Sequence, residues 1–318
     1  MSSTQAPVFE YTAITETCGL LDRSDRGKLA LTGADAKSFL QGQVSNDVEA
    51  LVSGSGCFAT FLTPKGKMLG DLRILDVGDE LLLDTERIAL QELFNMIRRF
   101  SIGYDAELHK RTRERGLLSL IGPASGSVAG ASELLASPEH ANAALMVGGV
   151  GARAIRTDVG IDLLCDSAVT ESLRAAVVES GAVPVSDEVA EVLRVERGRL
   201  RYGVDLDDTV IPQEAGLNER AVSFTKGCYV GQETVARLYY RGKPNRHLRG
   251  LRLAGPVDRG AEIRFGDRIV GRVGSAVVSP RFGPIALALV RREAPVGSEV
   301  TVDPGISAQV AELPFEAA

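Results

Sequence analysis

The chain has 318 residues, of which 44% are hydrophobic and 25% are charged, and this balance is typical of a folded globular protein with two or three domains. The formal net charge of −6 argues against a protein dedicated to nucleic-acid binding. No apolar run reaches the roughly 18 residues that a membrane-spanning helix requires, so we expect no membrane partner.

The first hundred residues combine short strands with helices. Residues 28–31 predict a strand, and Asp35 is a suitable cap for the helix that follows. Two strands, 58–62 and 68–77, flank a Pro/Gly turn and predict a hairpin. A helix after Thr85 places four apolar side chains on one face, namely Leu90, Leu93, Phe94 and Ile97.

From about residue 115 the order of elements changes. Strands are predicted at 117–121, 144–147 and 161–165, with a further strand around Ile155. Helices are predicted at 128–135 and after Thr170. This alternation resembles a ferredoxin-like split βαβ unit. One more helix is predicted after Ser186, and Gly198 is its expected stop.

After Pro244 the helical periodicity disappears. Short strands alternate with Gly and Pro, and they are predicted at 248–253, 262–265, 268–275, 285–290 and 299–302. Such a pattern predicts a small β-barrel, with its boundary at 241–245.

The cysteines and histidines are few and scattered. None of the four cysteines pairs with another at CxxC spacing, and the three histidines do not cluster. We therefore expect no metal site. Sparse cysteines are typical of a reducing compartment, and the N-terminal residues lack the pattern of a secretion signal, so we expect a soluble, cytoplasmic protein.

The densest candidate motif is Lys-Gly-Cys-Tyr-Val-Gly-Gln-Glu at residues 226–233. Lys226 and the later Arg237 would lower the pKa of the Cys228 thiol and favour the reactive thiolate. The alternative is an inert, buried cysteine that serves as a small hydrophobic side chain. A lone cysteine without a neighbouring histidine does not decide between them.

A basic segment follows this motif. Five cations without an intervening acid lie between residues 237 and 249, namely Arg237, Arg241, Lys243, Arg246 and Arg249. They indicate either a solvated basic face or a patch for an anionic ligand tail or an RNA, with Tyr239 and Tyr240 as stacking groups.

The motif at 226–233 resembles the signature of the YgfZ family, whose members are relatives of the glycine cleavage T-protein. Further similar stretches extend the resemblance over nearly the whole chain, and they are 31–47, 62–67, 194–198, 202–205 and 211–217.

The resemblance implies an α+β fold in which three domains form a ring around a folate pocket. Residues 1–112 and 186–240 would form a discontinuous folate-binding domain. Residues 113–185 would form a ferredoxin-like insertion, and residues 245–318 a small C-terminal β-barrel. The implied ligand is tetrahydrofolate or a derivative, and the implied role is support of iron–sulfur client enzymes, among them tRNA-modifying ones, without direct nucleic-acid contact.

The resemblance also implies roles for individual residues. Glu196 would accept hydrogen bonds from the pterin ring, since a carboxylate can accept two donors from an aminopyrimidine edge. A solvated helix residue is the alternative for Glu196. Tyr202, which could equally be a core tyrosine, is a further candidate folate contact, as are Asp71 and Arg194. Cys228 would be the functional thiol, with Lys226 as its electrostatic helper.

One departure from the T-protein pattern bears on enzymatic activity. T-protein enzymes carry an Asp-Asp pair after the hairpin, whereas this chain has Gly70-Asp71. The missing carboxylate and the Cys228 motif favour a YgfZ-like accessory protein without enzymatic activity over an aminomethyltransferase. A shift of one residue would put Asp71 at the catalytic position, so the folate-dependent aminomethyltransferase stays as an alternative, followed by an RNA-associated module.

Overall fold

The computed structural model describes residues 8–316 and contains three β-sheets, one of them a closed barrel. The α+β class and the C-terminal barrel predicted from the sequence are confirmed.

The first sheet is antiparallel, with strand order β3-β4-β5-β2-β6. Its strands are β2 (Gly27–Thr32), β3 (Gly56–Leu62), β4 (Met68–Asp76), β5 (Leu81–Thr85) and β6 (Glu107–Lys110). Helices α2 (Ala36–Gln41) and α3 (Leu90–Phe100) accompany it. The predicted hairpin is β3-β4, and the predicted apolar stripe places Leu93 and Ile97 fully inside the core. Truncating either side chain to alanine would cost about 2–5 kcal/mol of stability.

The second sheet has six strands in the order β11-β1-β7-β10-β9-β8. They are β1 (Gly19–Asp22), β7 (Arg115–Ile121), β8 (Asn142–Val147), β9 (Val150–Thr157), β10 (Gly160–Asp166) and β11 (Val183–Pro184). Helices α4 (Ser125–Ala129) and α5 (Thr170–Glu179) pack on one face, and α1 (Val8–Glu16) precedes β1. A 3-10 turn follows α4 at Ser132–Ala136 and divides the helix predicted at 128–135.

This second sheet is not built from residues 113–185 alone. Strand β1 comes from the N-terminal segment and pairs with β11 on one side and β7 on the other. Cys18 and Leu20 enter the same core as α5. A four-residue strand carries too little periodicity to be assigned from sequence, and its pairing partners lie about a hundred residues away or more.

The two sheets face each other across a small apolar cluster and a buried ionic network. Ala30, Leu75 and Leu82 of the first sheet pack with Ile155 of the second. Beside them, the guanidinium of Arg73 on β4 bridges two carboxylates, one on each sheet.

Arg73 lies 2.7 Å from Asp84 on β5 and 2.7 Å from Asp162 on β10. Burial by itself would raise the pKa of Asp84, but Arg26 and Arg73 overcome this effect and hold it at about 2. The hydroxyl of Ser119 donates to Asp162, so the carboxylate on the second sheet is also fixed.

Three helices lead to the barrel, namely α6 (Asp187–Glu196), α7 (Asn218–Ala221) and α8 (Gln232–Arg241). The barrel strands are β12 (Arg246–Leu253), β13 (Glu262–Phe265), β14 (Arg268–Ser279), β15 (Gly283–Arg291), β16 (Glu299–Val302) and β17 (Ile306–Ala311), closed in the order β12-β15-β14-β13-β16-β17. The backbone amide of Phe315 donates to the carbonyl of Glu196 at 2.8 Å, so the C-terminal segment is tied to the end of α6.

Candidate functional site

A cavity of about 620 Å³ opens where α1, α6, the second sheet and the barrel meet. Tyr11 reaches it from α1 and Glu196 from the last turn of α6. Arg281, Phe282 and Phe315 reach it from the barrel side. A cavity of this size is within the range of sites for small molecules and cofactors.

Glu196 is the central acid of this cavity, and its side chain is buried, with 5% of the residue exposed. The Tyr11 hydroxyl donates to Oε1 at 2.9 Å and lies 3.1 Å from Oε2, while the Ser279 hydroxyl donates to Oε1 at 2.5 Å. Burial and the neighbouring Glu196 carboxylate both raise the pKa of Tyr11, so its hydroxyl keeps its proton. The solvated-helix interpretation of Glu196 is therefore excluded.

The hydrogen bonds that orient the Glu196 carboxylate extend into the barrel. Ser279 lies at the end of β14, and its hydroxyl oxygen accepts from the backbone amides of Arg281 and Phe282 at 3.0 and 2.9 Å. The carboxylate thus sits in a hydrogen-bonded chain that begins in the barrel turn and ends at α1. The Tyr11 and Ser279 hydroxyls each donate one proton, and a carboxylate has about four acceptor positions, so acceptor positions remain for ligand donors.

The remaining charges around this cavity are mostly positive. Arg156, Arg197 and Arg281 line it together with Asp158 and Glu196. The rings of Phe282 and Phe315 contribute to its apolar surface. The cavity therefore suits a ligand with a planar hydrogen-bonding ring at one end and a negative charge at the other.

A second cavity of about 450 Å³ lies beyond one ion pair. Asp158 lines the first cavity and Arg199 lines the second, and Arg199 Nε is 2.6 Å from Asp158 Oδ2. The wall of the second cavity includes Phe58 and Arg220, whose guanidinium carbon is 4.7 Å from the ring centroid. The Asp158–Arg199 ion pair therefore contributes to the walls of both cavities.

His140 also borders the second cavity, and it is unusual in two ways. Its backbone has a positive φ of 72°, which few residues other than glycine adopt. Both ring nitrogens are buried and lack a hydrogen-bond partner within residues 8–316. Burial, together with the charges of Arg73 and Arg220, lowers the pKa of His140 to about 3, so the ring is neutral at pH 7.

Gly70 and Asp71 point to opposite faces of β4, because side chains alternate along a strand. A Cβ atom at position 70 would lie 2.6 Å from the Phe61 ring, so this position faces the apolar core and has no room for an aspartate. Asp71 shares the other face with Arg73. Burial raises the pKa of Asp71 to about 7 against the opposing charge of Arg26.

The two residues of the Gly70-Asp71 pair thus have different surroundings. Asp71 provides a carboxyl group on the interior face, whereas Gly70 lies against the apolar core. No hydrogen bond to the Asp71 carboxyl is found within residues 8–316, and Asp71 is not among the residues lining the Glu196 cavity.

Tyr202 and Arg194, the other predicted folate contacts, lie outside the lining of the Glu196 cavity. Tyr202 packs between two apolar clusters, and its hydroxyl is 3.4 Å from the carbonyl of Met68, which fits the core-tyrosine alternative. Arg194 pairs with Glu191 and with Asp205 at 2.7 Å. Because these carboxylates, together with backbone and hydroxyl oxygens, engage its donors, we assign Arg194 a structural role.

Lys226 anchors the loop of the Lys-Gly-Cys motif. Its ammonium donates to the backbone carbonyls of Gln41, Val44 and Asn46 at 2.6, 2.9 and 2.7 Å. An ammonium group has three donors, so all of them are used. Burial lowers the pKa of Lys226 to about 8. The predicted role as electrostatic helper of Cys228 therefore gives way to a structural one, since the charge is committed to the 41–46 segment.

Cys228 lies at the exposed tip of the same loop, whereas Cys18 and Cys165 are buried and Cys57 is half-buried. The motif residues around Cys228 have different structural roles. Tyr229 is buried in a core cluster, and Gly231 has a φ of 84° and approaches the hairpin so closely that a Cβ would lie 2.6 Å from the Thr63 carbonyl. Among the described residues 8–316, no heavy atom lies within 4 Å of a Cβ at Gly227. The buried-cysteine interpretation is thus excluded for Cys228.

Sequence reasoning missed most of the residues that surround Glu196. Tyr11 lies 185 positions away in the chain and Ser279 lies 83 positions away, and neither belongs to a recognisable motif. Arg281 and Phe282 occur in a barrel turn that reads as an ordinary loop. These residues come together around the Glu196 cavity only in the folded chain.

The comparisons with known proteins cover almost the whole chain. A family model described as the GCVT N-terminal domain matches residues 3–226, and the glycine cleavage T-protein C-terminal barrel domain matches residues 246–315. An aminomethyltransferase of Rubrobacter xylanophilus is 29% identical over 96% of this chain and 85% of its own length. A chloroplastic protein of Arabidopsis thaliana that carries a transferase name is 28% identical over 93% of this chain and 71% of its own.

Solved structures agree on the fold. The glycine cleavage system aminomethyltransferase T from Bartonella henselae superposes with a TM-score of 0.86 at 22% identity, covering 97% of this chain and 89% of that one. Within residues 8–316, no helix is both long and apolar enough to cross a membrane, and no cluster of three or more potential metal-ligating side chains occurs.

The raised pKa of Asp71 predicts a pH-dependent stability. Its pKa is about 3.8 in the unfolded chain and about 7 in the fold, so the folded state binds the proton more tightly. Ionisation therefore destabilises the fold progressively as the pH rises from about 4 through 7. We expect Asp71→Asn to gain stability relative to the wild type over this range, by on the order of 1–4 kcal/mol, in urea unfolding measured at several pH values.

Leu72→Val is the matched control, because it alters the neighbouring core position without a titratable group. Its stability relative to the wild type should stay constant with pH. If the Asp71→Asn difference were equally constant, the carboxyl would not be held protonated by burial.

Proposed function

Since the chain belongs to the glycine cleavage T-protein family, we propose that it binds tetrahydrofolate or a derivative in the 620 Å³ cavity, with Glu196 as the acceptor for the pterin ring. The observation that carries this proposal is a buried carboxylate in the cavity wall, oriented by the hydroxyls of Tyr11 and Ser279.

The residues in the cavity match the chemistry of a folate. The aminopyrimidine edge of a pterin donates hydrogen bonds, which the free acceptor positions of Glu196 would receive. Phe282 and Phe315 would contact apolar parts of the ligand, and Arg197 or Arg281 would pair with its terminal carboxylate. Bound folate would supply a one-carbon carrier, while these residues bind and orient it.

We further propose that the protein is a YgfZ-like accessory factor for iron–sulfur client enzymes, with Cys228 as its functional thiol. Support comes from the arrangement of the motif, in which Lys226, Tyr229 and Gly231 hold the loop and leave Cys228 exposed at its tip. Lys226 fastens the loop to the 41–46 segment, and Gly227 leaves the space next to the thiol open. A partner could therefore approach the sulfur of Cys228.

A folate-dependent aminomethyltransferase is the second candidate function, and Asp71 is the observation that favours it. A carboxyl group with a pKa of about 7 on an interior strand face is suited to proton transfer near neutral pH. Two relatives carry transferase names, which adds support. Against it, Asp71 lies outside the lining of the Glu196 cavity, where the folate is proposed to bind.

Replacing Glu196 tests the folate proposal. We expect Glu196→Gln to weaken tetrahydrofolate binding by about 1.5–3 kcal/mol, roughly ten- to a hundredfold in Kd, because a charged acceptor is lost. Isothermal titration calorimetry measures this change. Glu188→Gln, an exposed substitution on the same helix, is the control and should bind like the wild type. Equal affinities for both variants would remove Glu196 from the site.

The proposal for the Lys-Gly-Cys motif predicts that substitution of Cys228 affects function and that substitution of Lys226 affects stability. We expect Cys228→Ser to fold with an unchanged unfolding midpoint and yet fail to restore iron–sulfur enzyme activity in cells lacking the protein. Lys226→Met should lower stability by about 1.5–3 kcal/mol or more, because three backbone carbonyls, that of Val44 buried, lose a charged donor. Alkylation should modify Cys228 first, since burial raises the pKa of Cys18 to about 11 and that of Cys57 to about 12.

Full complementation by Cys228→Ser would show that the motif acts through its anchoring residues and not through sulfur.

An activity assay separates the two candidate functions. With an aminomethylated carrier protein and tetrahydrofolate, we expect no turnover, because the Asp71 carboxyl does not border the proposed folate cavity. Turnover that is present in the wild type and lost in Asp71→Asn would replace the accessory role with the transferase. The calorimetric affinity of Asp71→Asn for folate is the control, and we expect it to be unchanged.

A further inference from the structure

The last two turns of α8 carry an exposed cluster of aromatic side chains, which we call the α8 patch. Tyr239 stacks on Phe224 with centroids 3.7 Å apart and planes 15° from parallel. Tyr240 meets the Tyr239 ring edge-on at 5.0 Å. Tyr239 is 51% exposed and Tyr240 is 66% exposed. Large rings are seldom left in solvent as a contiguous group without a ligand or partner.

Three exposed cations, Arg237, Arg241 and Lys243, belong to the same patch. None of them forms a salt bridge within residues 8–316. Arg237 and Arg241 are four residues apart, so they share a helix face at an axial spacing of about 6 Å, and Tyr240 lies between them in sequence.

The structure divides the basic segment into two parts. Arg246 is bound to Glu214 at 2.9 Å, and Arg249 lies 3.7 Å from Glu312. These two arginines are therefore occupied by acids of their own chain. The acid within α8 is Glu233, at the far end of the helix. The uncommitted charge is confined to the part of the segment that carries the aromatic rings.

We propose that the α8 patch binds single-stranded nucleic acid. Aromatic side chains next to unpaired cations are the arrangement that holds single strands, because bases stack on the rings while phosphates meet the cations. A base needs only one open ring face, and Tyr240 presents such a face.

The site is independent of the folate cavity and adjoins the cysteine loop. Phe224, the base of the aromatic stack, precedes Lys226 and Cys228 in the same loop. A strand on the α8 patch would therefore lie beside the loop that exposes Cys228. The net charge of −6 opposes a polyanion at long range, so binding is expected to be weak and strongly salt-dependent.

Fluorescence anisotropy of a labelled twelve-nucleotide oligouridine, titrated with the full chain between 50 and 200 mM salt, tests the proposal. Tyr240→Ala should weaken binding about fivefold or more through lost stacking. Arg237→Gln combined with Arg241→Gln should reduce the slope of log K against log salt by about 1.4, or 0.7 for each lost phosphate contact. Both sets of substitutions are on exposed side chains, and unfolding midpoints verify that the fold is retained.

The matched controls are on α3, which carries a similar exposed pair of cation and ring. Arg98→Gln and Phe100→Ala should bind the oligonucleotide like the wild type. Unlabelled poly-glutamate should displace the RNA poorly. Absence of binding at 50 mM salt, an unchanged Kd for Tyr240→Ala, or displacement by poly-glutamate at equal charge would each overturn the proposal, and the last result would assign the patch to acidic protein segments.

Discussion

One guanidinium, that of Arg73, holds the two large sheets of this protein together. It is 7% exposed and bridges Asp84 on its own sheet and Asp162 on the other. Removing one member of such a buried network leaves an uncompensated charge, so the residues act as a unit. The apolar cluster around Leu75 and Ile155 excludes water beside them. Asp71 is also buried on β4, and burial raises its pKa against the charge of Arg26.

The packing of the two sheets determines where cavities for a ligand remain. The turn between β9 and β10 carries Asp158, whose pairing with Arg199 joins the second sheet to the segment after α6. A cavity lies on each side of this pair, one around Glu196 and the other around Phe58 and Arg220. Glu196 in turn joins α1, α6 and the barrel through two hydroxyl groups. Ligand binding there would therefore act on three chain segments at once.

The Lys-Gly-Cys motif shows why residue types do not define roles by themselves. A lysine two positions from a cysteine suggests thiol activation, but the side chain of Lys226 turns to the carbonyls of the 41–46 segment. A desolvated ammonium needs all its donors satisfied, and three backbone oxygens meet that need better than one exposed thiol. The same holds at β4, where the alternation of side chains, and not residue identity, puts Asp71 on the interior face and Gly70 against Phe61.

Glu196 is a candidate acid through the family resemblance alone. The sequence by itself determined the α+β class, the hairpin, the stripe of Leu93 and Ile97, and the C-terminal barrel. These features depend on local periodicity, turn residues and contiguous motifs, which the chain displays before it folds. Only the tertiary structure decided the insertion of β1 between β11 and β7, the partners of Glu196, the anchoring role of Lys226 and the structural role of Arg194. Each of these depends on residues that are distant in sequence and meet only after the sheets and the barrel have packed, so no local pattern could encode them.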